Sequence, residues 1–218
     1  MVLGIAMIAT SIPTIFGLNE ASNAMRDREK NTKENARKTR FSLRAVCDAS
    51  EGSMQERDQV DDALVYLGRD QKLYITKDPA SSLSPFNGHL YRHPDFEGNN
   101  LSGLISMSAE DKPLARWVFL DSETNEMRWG GRKDTEGHVC GPFDLTDNDA
   151  YLTLDDTQRW MAVQLPGGST TAQTVESSDD SRESAWRLYF DRKETEGDDL
   201  PAGSQRIRIF LRRTPEGS

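Results

Sequence analysis

Four residue groups in this chain carry types that could do chemistry. His89 and His93 are spaced i,i+4, and His138 and Cys140 are spaced i,i+2. On strands, each pair points to one side, so a His/His/His/Cys site can be drawn. The spacing matches no standard metal signature, and Pro94 closes the first segment, so the residues are expected to be polar loop histidines and a small core cysteine, with no metal or cofactor. Asp144, Asp147, Asp149, Asp155 and Asp156 crowd one stretch, DLTDNDAYLTLDD. It lacks the alternating ligands, central glycine and closing glutamate of a calcium loop, and reads as a solvated turn. Trp117 and Trp129 flank the turn Asp121-Ser122-Glu123-Thr124-Asn125. With Ser122–Thr124 as the loop, the two indoles face each other across a hairpin. Trp117, Trp129, His138 and Asp121 are thus the candidate ligand-binding residues. The chain has no G-x-S-x-G elbow, phosphate-binding glycine loop or dinucleotide fingerprint. No catalytic residue is assigned.

The elements that would position these residues are short strands. From Phe41 the hydrophobic period is two, and residues 41, 43, 45 and 47 share one side, which turns Cys47 toward a core. Further β-prone runs are Ala63–Leu67, Lys72–Thr76, His89–Arg92, Leu101–Ser108, Leu114–Leu120, Glu126–Gly130, His138–Cys140, Tyr151–Leu154, Trp160–Leu165, Trp186–Phe190 and Arg206–Arg212. This spacing predicts a mainly β fold, an antiparallel sandwich or barrel of about ten to twelve short strands preceded by an N-terminal helical segment. Residues 41–218 read as one β-rich domain with a flexible polar insertion at 167–184, and residues 1–40 as an apolar helix plus a basic helical neck. No internal repeat is visible.

The 218 residues are 35% hydrophobic and 29% charged, with a formal net charge of −9 and mean hydropathy −0.70. That average hides three regimes. Residues 1–18 carry no charge. Residues 19–40 carry seven Lys/Arg against four Asp/Glu, and the remaining body is left at −12. An acidic body repels a phosphate backbone, so no nucleic-acid partner is expected. Two cysteines exclude a disulfide scaffold.

In the opening MVLGIAMIATSIPTIFGL, helical spacing sets Ile5, Ile8, Ile12, Ile15 and Phe16 on one face. A packed association helix fits this stripe. A membrane anchor is a second reading, since 18 helical residues span about 27 Å, just short of a hydrocarbon core. A secretory signal is a third, but the basic n-region it needs is missing. The neck carries Glu29–Lys33 and Glu34–Lys38 pairs in the favourable order and reads as a solvated spacer.

The segments VLGIAMIATSIPT, RKTRFSL, GLISMSAEDKPLARWVFLDSETNEMRWGGR, HVCGPFDLTD and WRLYFDR together resemble a family of proteins from filamentous ascomycete fungi with no established activity. The resemblance covers most of the chain and includes Trp117, Asp121, Trp129, Gly130, His138, Gly141, Pro142, Trp186 and Asp191. It departs from the family's look at Phe143 and Leu145, where tryptophans are usual, and in the longer polar insertion before Trp186. It implies no catalytic role.

The sequence therefore predicts a non-enzymatic binding or assembly protein whose residues 1–18 mediate self-association, a protein partner or membrane-surface contact. An intracellular location, free or at a membrane surface, goes with that reading. The alternative is a β-barrel that encloses a small molecule and acts as an enzyme or cyclase of secondary metabolism, built from Trp117, Trp129, His138 and nearby acids.

Overall fold

A computed structural model describes residues 32, 35, 37–92, 102–107, 115–166, 185–194 and 200–216. The stripe Ile5, Ile8, Ile12, Ile15 and Phe16, most of the neck, His93 and the polar insertion 167–184 lie outside the described residues. Of the neck, Thr32, Asn35, Arg37 and Lys38 are helical. The chain divides into Met1–Ala36 and Arg37–Ser218, and the second unit is the subject below. Among the described residues no helix is long and apolar enough to cross a membrane.

The strands are β1 (Phe41–Cys47), β2 (Leu64–Leu67), β3 (Leu73–Thr76), β4 (Ser84–Pro85), β5 (Gly88–Arg92), β6 (Ser102–Met107), β7 (Ala115–Leu120), β8 (Met127–Gly130), β9 (Phe143–Leu145), β10 (Leu152–Leu154), β11 (Trp160–Gln164), β12 (Trp186–Phe190) and β13 (Gln205–Pro215). A short helix, α1 (Met54–Val60), opens with a capping box in which Ser53 Oγ accepts the Glu56 N–H and Glu56 accepts the Ser53 N–H. Six strands form a ring. β1 pairs with β13 and with β5, β5 with β6, and β9 with β10. Tyr151, entering β10, bridges to Arg212 of β13. β6 lies beside β9, where a Cβ on Gly141 would come within 2.7 Å of the Ser102 carbonyl oxygen. The expected sandwich-or-barrel is thus a barrel.

Three hairpins, β2–β3, β7–β8 and β11–β12, cap the ring, and they repeat about one axis. Lys72 bridges to Arg128, Glu126 to Tyr189, and Arg187 pairs with Tyr74, so each hairpin meets the next in the same way. The inward positions of the three hairpins match as well. Val65, Val118 and Trp160 are equivalent, as are Leu73, Met127 and Leu188, and all six are at most 1% exposed. Together with Phe41, Leu43, Leu104, Phe143 and Leu211 they fill the barrel as one continuous core. The repeat absent from the sequence is therefore present in space, because strand pairing needs only alternation and volume at each position, not residue identity.

His138–Cys140, expected as a strand, is a loop that touches β7 through a single Leu120–Val139 bridge. Cys47 does pack against the core, and burial, with Asp61 adding to it, pushes its thiol up to about 11. Cys47 and Cys140 are both free thiols.

Candidate functional site

The β7–β8 hairpin carries three of the four predicted residues, and its register differs by one residue from the expected one. Trp117 stands opposite Gly130, and Val118 stands opposite Trp129. The connection runs Ser122–Asn125, with Asn125 in the left-handed region at φ 57° and its N–H on the Asp121 carbonyl. One extra loop residue moves the facing side chains to opposite sides of the sheet. Trp129 turns inward, packs against the core and donates its indole N–H to the Gly68 carbonyl at 2.9 Å, with the Arg116 guanidinium 4.5 Å from its ring centre. Trp117 turns outward and meets Tyr91 edge-to-face at 5.8 Å. The expected facing pair of indoles does not form.

Asp121 and His138 do come together, as parts of the turn. Asp121 Oδ1 accepts the N–H groups of Glu123 (3.0 Å) and Thr124 (3.1 Å), and Oδ2 accepts Arg128 Nη1 (3.0 Å). Burial alone would raise this carboxyl, but the two N–H groups, Arg128 and His138 outweigh it and hold it below the usual aspartate range. His138 Nδ1 accepts the Ser122 N–H at 3.3 Å while its ring stacks on Phe119 at 5.2 Å. Ser122 Oγ donates to the Gly137 carbonyl at 3.0 Å. The hydroxyl proton thus goes to backbone although His138 Nδ1 lies 3.5 Å from Ser122 Oγ, and the carboxylate is tied to backbone and arginine. A nucleophile needs a base aimed at its proton, and this trio holds a turn instead. Among the described residues no group of three or more His, Cys, Asp or Glu could hold a metal ion.

Sequence reasoning missed the charged centre of the cap. Lys72, Glu126 and Arg187 occupy equivalent positions on the outward faces of the three hairpins and converge on the axis. Glu126, 5% exposed, lies 3.8 Å from Lys72 Nζ and 3.5 Å from Arg187 Nη1. Burial outweighs the two cations and Arg128, and raises the Glu126 carboxyl. Tyr74, next along on the same face, donates its hydroxyl to Asp70 at 2.6 Å. No spacing rule joins residues 72, 126 and 187, so only the three-fold arrangement reveals this network.

Concave surfaces lie outside the barrel, among them the following. A groove of about 380 Å³ between β3 and the start of β12 has Ile75, Leu83 and Trp186 in its lining and Asp58, Lys77 and Asp78 among its polar residues. Trp186 donates its indole N–H to Gln59 Oε1 at 2.9 Å. A second recess of about 70 Å³ sits among Glu51, Arg159, Met161, Asp191, Arg206 and Arg208 on the outer face of β11 and β13.

Arg37 ties the end of the neck to β9, its Nε donating to Asp144 Oδ1 at 2.9 Å in a two-pronged pair. The acidic stretch expected to be a solvated turn thus supplies an anchor at Asp144.

A closed six-stranded barrel capped by three hairpins related by one axis, its interior filled by side chains, defines a β-trefoil body. Consistent with this, the model of the fungal beta-trefoil domain family matches residues 17–216, and the chain belongs to that family. Comparison with curated proteins and with solved structures gives no match.

Proposed function

We infer that the protein is a non-catalytic binding and assembly module, with the β-trefoil body as its recognition surface and residues 1–18 as its association segment. A fungal β-trefoil body fits a binding or assembly protein. One observation carries the reading against an enclosed-ligand enzyme. The barrel interior is occupied by side chains such as Phe41, Phe143 and Trp160, each 0% exposed, so a ligand has to bind outside the barrel. The polar groups expected to do chemistry, Asp121 and His138, are spent on turn geometry. The uncharged stripe of Ile5, Ile8, Ile12, Ile15 and Phe16 supports the association role.

The test compares the full chain with residues 19–218 by light scattering and by flotation with anionic vesicles. The reading expects a larger assembly, or vesicle association, that is lost on truncation. Equal mass and equal partition for the two proteins would overturn it.

A further inference from the structure

The body carries a surplus of twelve acids, yet one of its faces is arginine-rich. Along β13, Ile207, Ile209 and Leu211 point into the core while Arg206, Arg208 and Arg212 are exposed on the other side. Register adds to this face. Arg44 of β1 stands opposite Arg212, Met161 of β11 opposite Arg208, and Arg159 precedes β11 on the side of Met161. The body as a whole has 15 arginines against five lysines, and this face holds arginine alone. Arginine presents a planar fork of donors that matches the oxygens of a carboxylate or phosphate, which lysine does not.

The carboxylates on the face are divided unevenly. Asp62 is clamped by Arg44 (3.2 Å) and Arg212 (2.7 Å), which closes that end. Around the 70 Å³ recess the balance is looser. Glu51 lies 3.8 Å from Arg208 Nε, and Glu194 lies 3.2 Å from Arg159 Nη1, with side chains 43% and 73% exposed. Glu51 also accepts the Arg208 N–H at 3.0 Å and stays in place, whereas the exposed Arg159–Glu194 pair contributes little and yields readily to a competing anion. Asp191, buried, lines the recess as well, and Arg159 also donates to the Arg192 carbonyl at 3.1 Å. Among the described residues Arg206 has no ion-pair partner, and Arg192 lies with Asp155 at the rim of the adjoining recess. The residues lining the recess, Arg159, Arg206 and Arg208 against Glu51 and Asp191, carry one positive charge, which the exposed Glu194 beside Arg159 offsets until an anion displaces it.

We propose that the recess formed by Arg159, Arg206 and Arg208 binds an oxyanion, the phosphate or carboxylate group of a small acidic ligand. Its volume suits one oxyanion group and not a whole organic molecule, so the rest of the ligand lies along the face toward Phe210, which meets Tyr151 edge-to-face at 6.1 Å. The site goes beyond the association role of residues 1–18 and stands or falls separately from it.

Isothermal titration of the full chain with pyrophosphate and, separately, with citrate tests the proposal at low ionic strength. Saturable binding of at least one is expected, and the preferred one identifies phosphate or carboxylate as the group recognised. Arg206→Gln, at an exposed residue lining the recess, should weaken binding about tenfold. Arg44→Gln, at the closed end of the face, should leave it unchanged. Binding of neither anion overturns the proposal, as does binding that Arg206→Gln leaves intact, which would locate the anion on the basic neck.

Discussion

Replacing Asp121 separates a structural carboxylate from a chemical one. In Asp121→Ala, the Glu123 and Thr124 N–H groups lose their acceptor and Arg128 loses its counter-charge. Hydrogen bonds to a charged acceptor are worth about 1.5–3 kcal/mol each, and two lie in the part-buried turn. The Arg128 side chain is 35% exposed, which reduces its ion pair to roughly 0.5–1 kcal/mol. The loss should therefore be about 3.5–7 kcal/mol, a large share of a stability of roughly 5–15 kcal/mol. Asp121→Asn keeps an oxygen on the two N–H groups and gives up the charge, so it should cost only about 1–2 kcal/mol. Urea unfolding followed by tryptophan fluorescence measures both.

The pH dependence adds a second readout. The folded carboxyl titrates below its unfolded value of about 3.9, so its contribution is present above that value and is lost as pH falls through the folded one. Asp121→Asn should remove this acid-limb slope. A variant pair that unfolds within 0.5 kcal/mol of the parent would refute the turn-holding role, as would an Asn variant as unstable as the Ala one.

Two further substitutions probe the cap and the barrel. Glu126 has a raised folded pKa, the opposite sign to Asp121, so stability should fall as pH rises from the unfolded glutamate value of about 4.3 through the folded one. Glu126→Gln should abolish that fall in a series of urea midpoints between pH 4 and pH 7. In Gly88→Ala the new Cβ would lie 2.2 Å from the Ile105 carbonyl oxygen and 2.5 Å from the Phe86 ring, and the thermal midpoint should drop by a cost of about 1–3 kcal/mol or more. Gly137→Ala meets nothing within 4 Å at φ +81° and should pay only the roughly 1–2 kcal/mol of a left-handed backbone.

Much of the strand content was legible because a half-buried strand writes its burial into the sequence with period two. Phe41–Cys47 and Trp186–Phe190 coincide with β1 and β12. β9 was missed because three residues, Phe143–Leu145, are too few to show a period. α1 was missed although its S-x-x-E capping box, Ser53 to Glu56, stands in the sequence. The Trp117–Trp129 pairing failed on a single loop residue, a quantity that composition does not determine. Trp117, Trp129, His138 and Asp121 stand out in the sequence by type, but what each one does depends on partners that only coordinates supply. The alternation in Gln205-Arg206-Ile207-Arg208-Ile209 was there to be read as an exposed arginine row, and was read only as a strand.

The three-fold arrangement also explains why no repeat survives in the sequence, and where divergence carries meaning. Equivalent inward positions need only similar volume, so Val65, Val118 and Trp160 can differ while all remain buried. The axial positions cannot be alike. Three copies of one charge converging at Lys72, Glu126 and Arg187 would repel one another in a poorly solvated centre, so the repeats must differ there for the cap to close. On the outward faces away from the axis neither constraint holds. The equivalent positions Leu64, Trp117 and Arg159 have become, respectively, a half-buried aliphatic residue, an aromatic beside Tyr91 and a cation at the arginine face. Divergence inside the barrel is limited by volume and divergence on the axis is forced by charge, which leaves the outward faces free to differ, and that is where recognition can be built on this body.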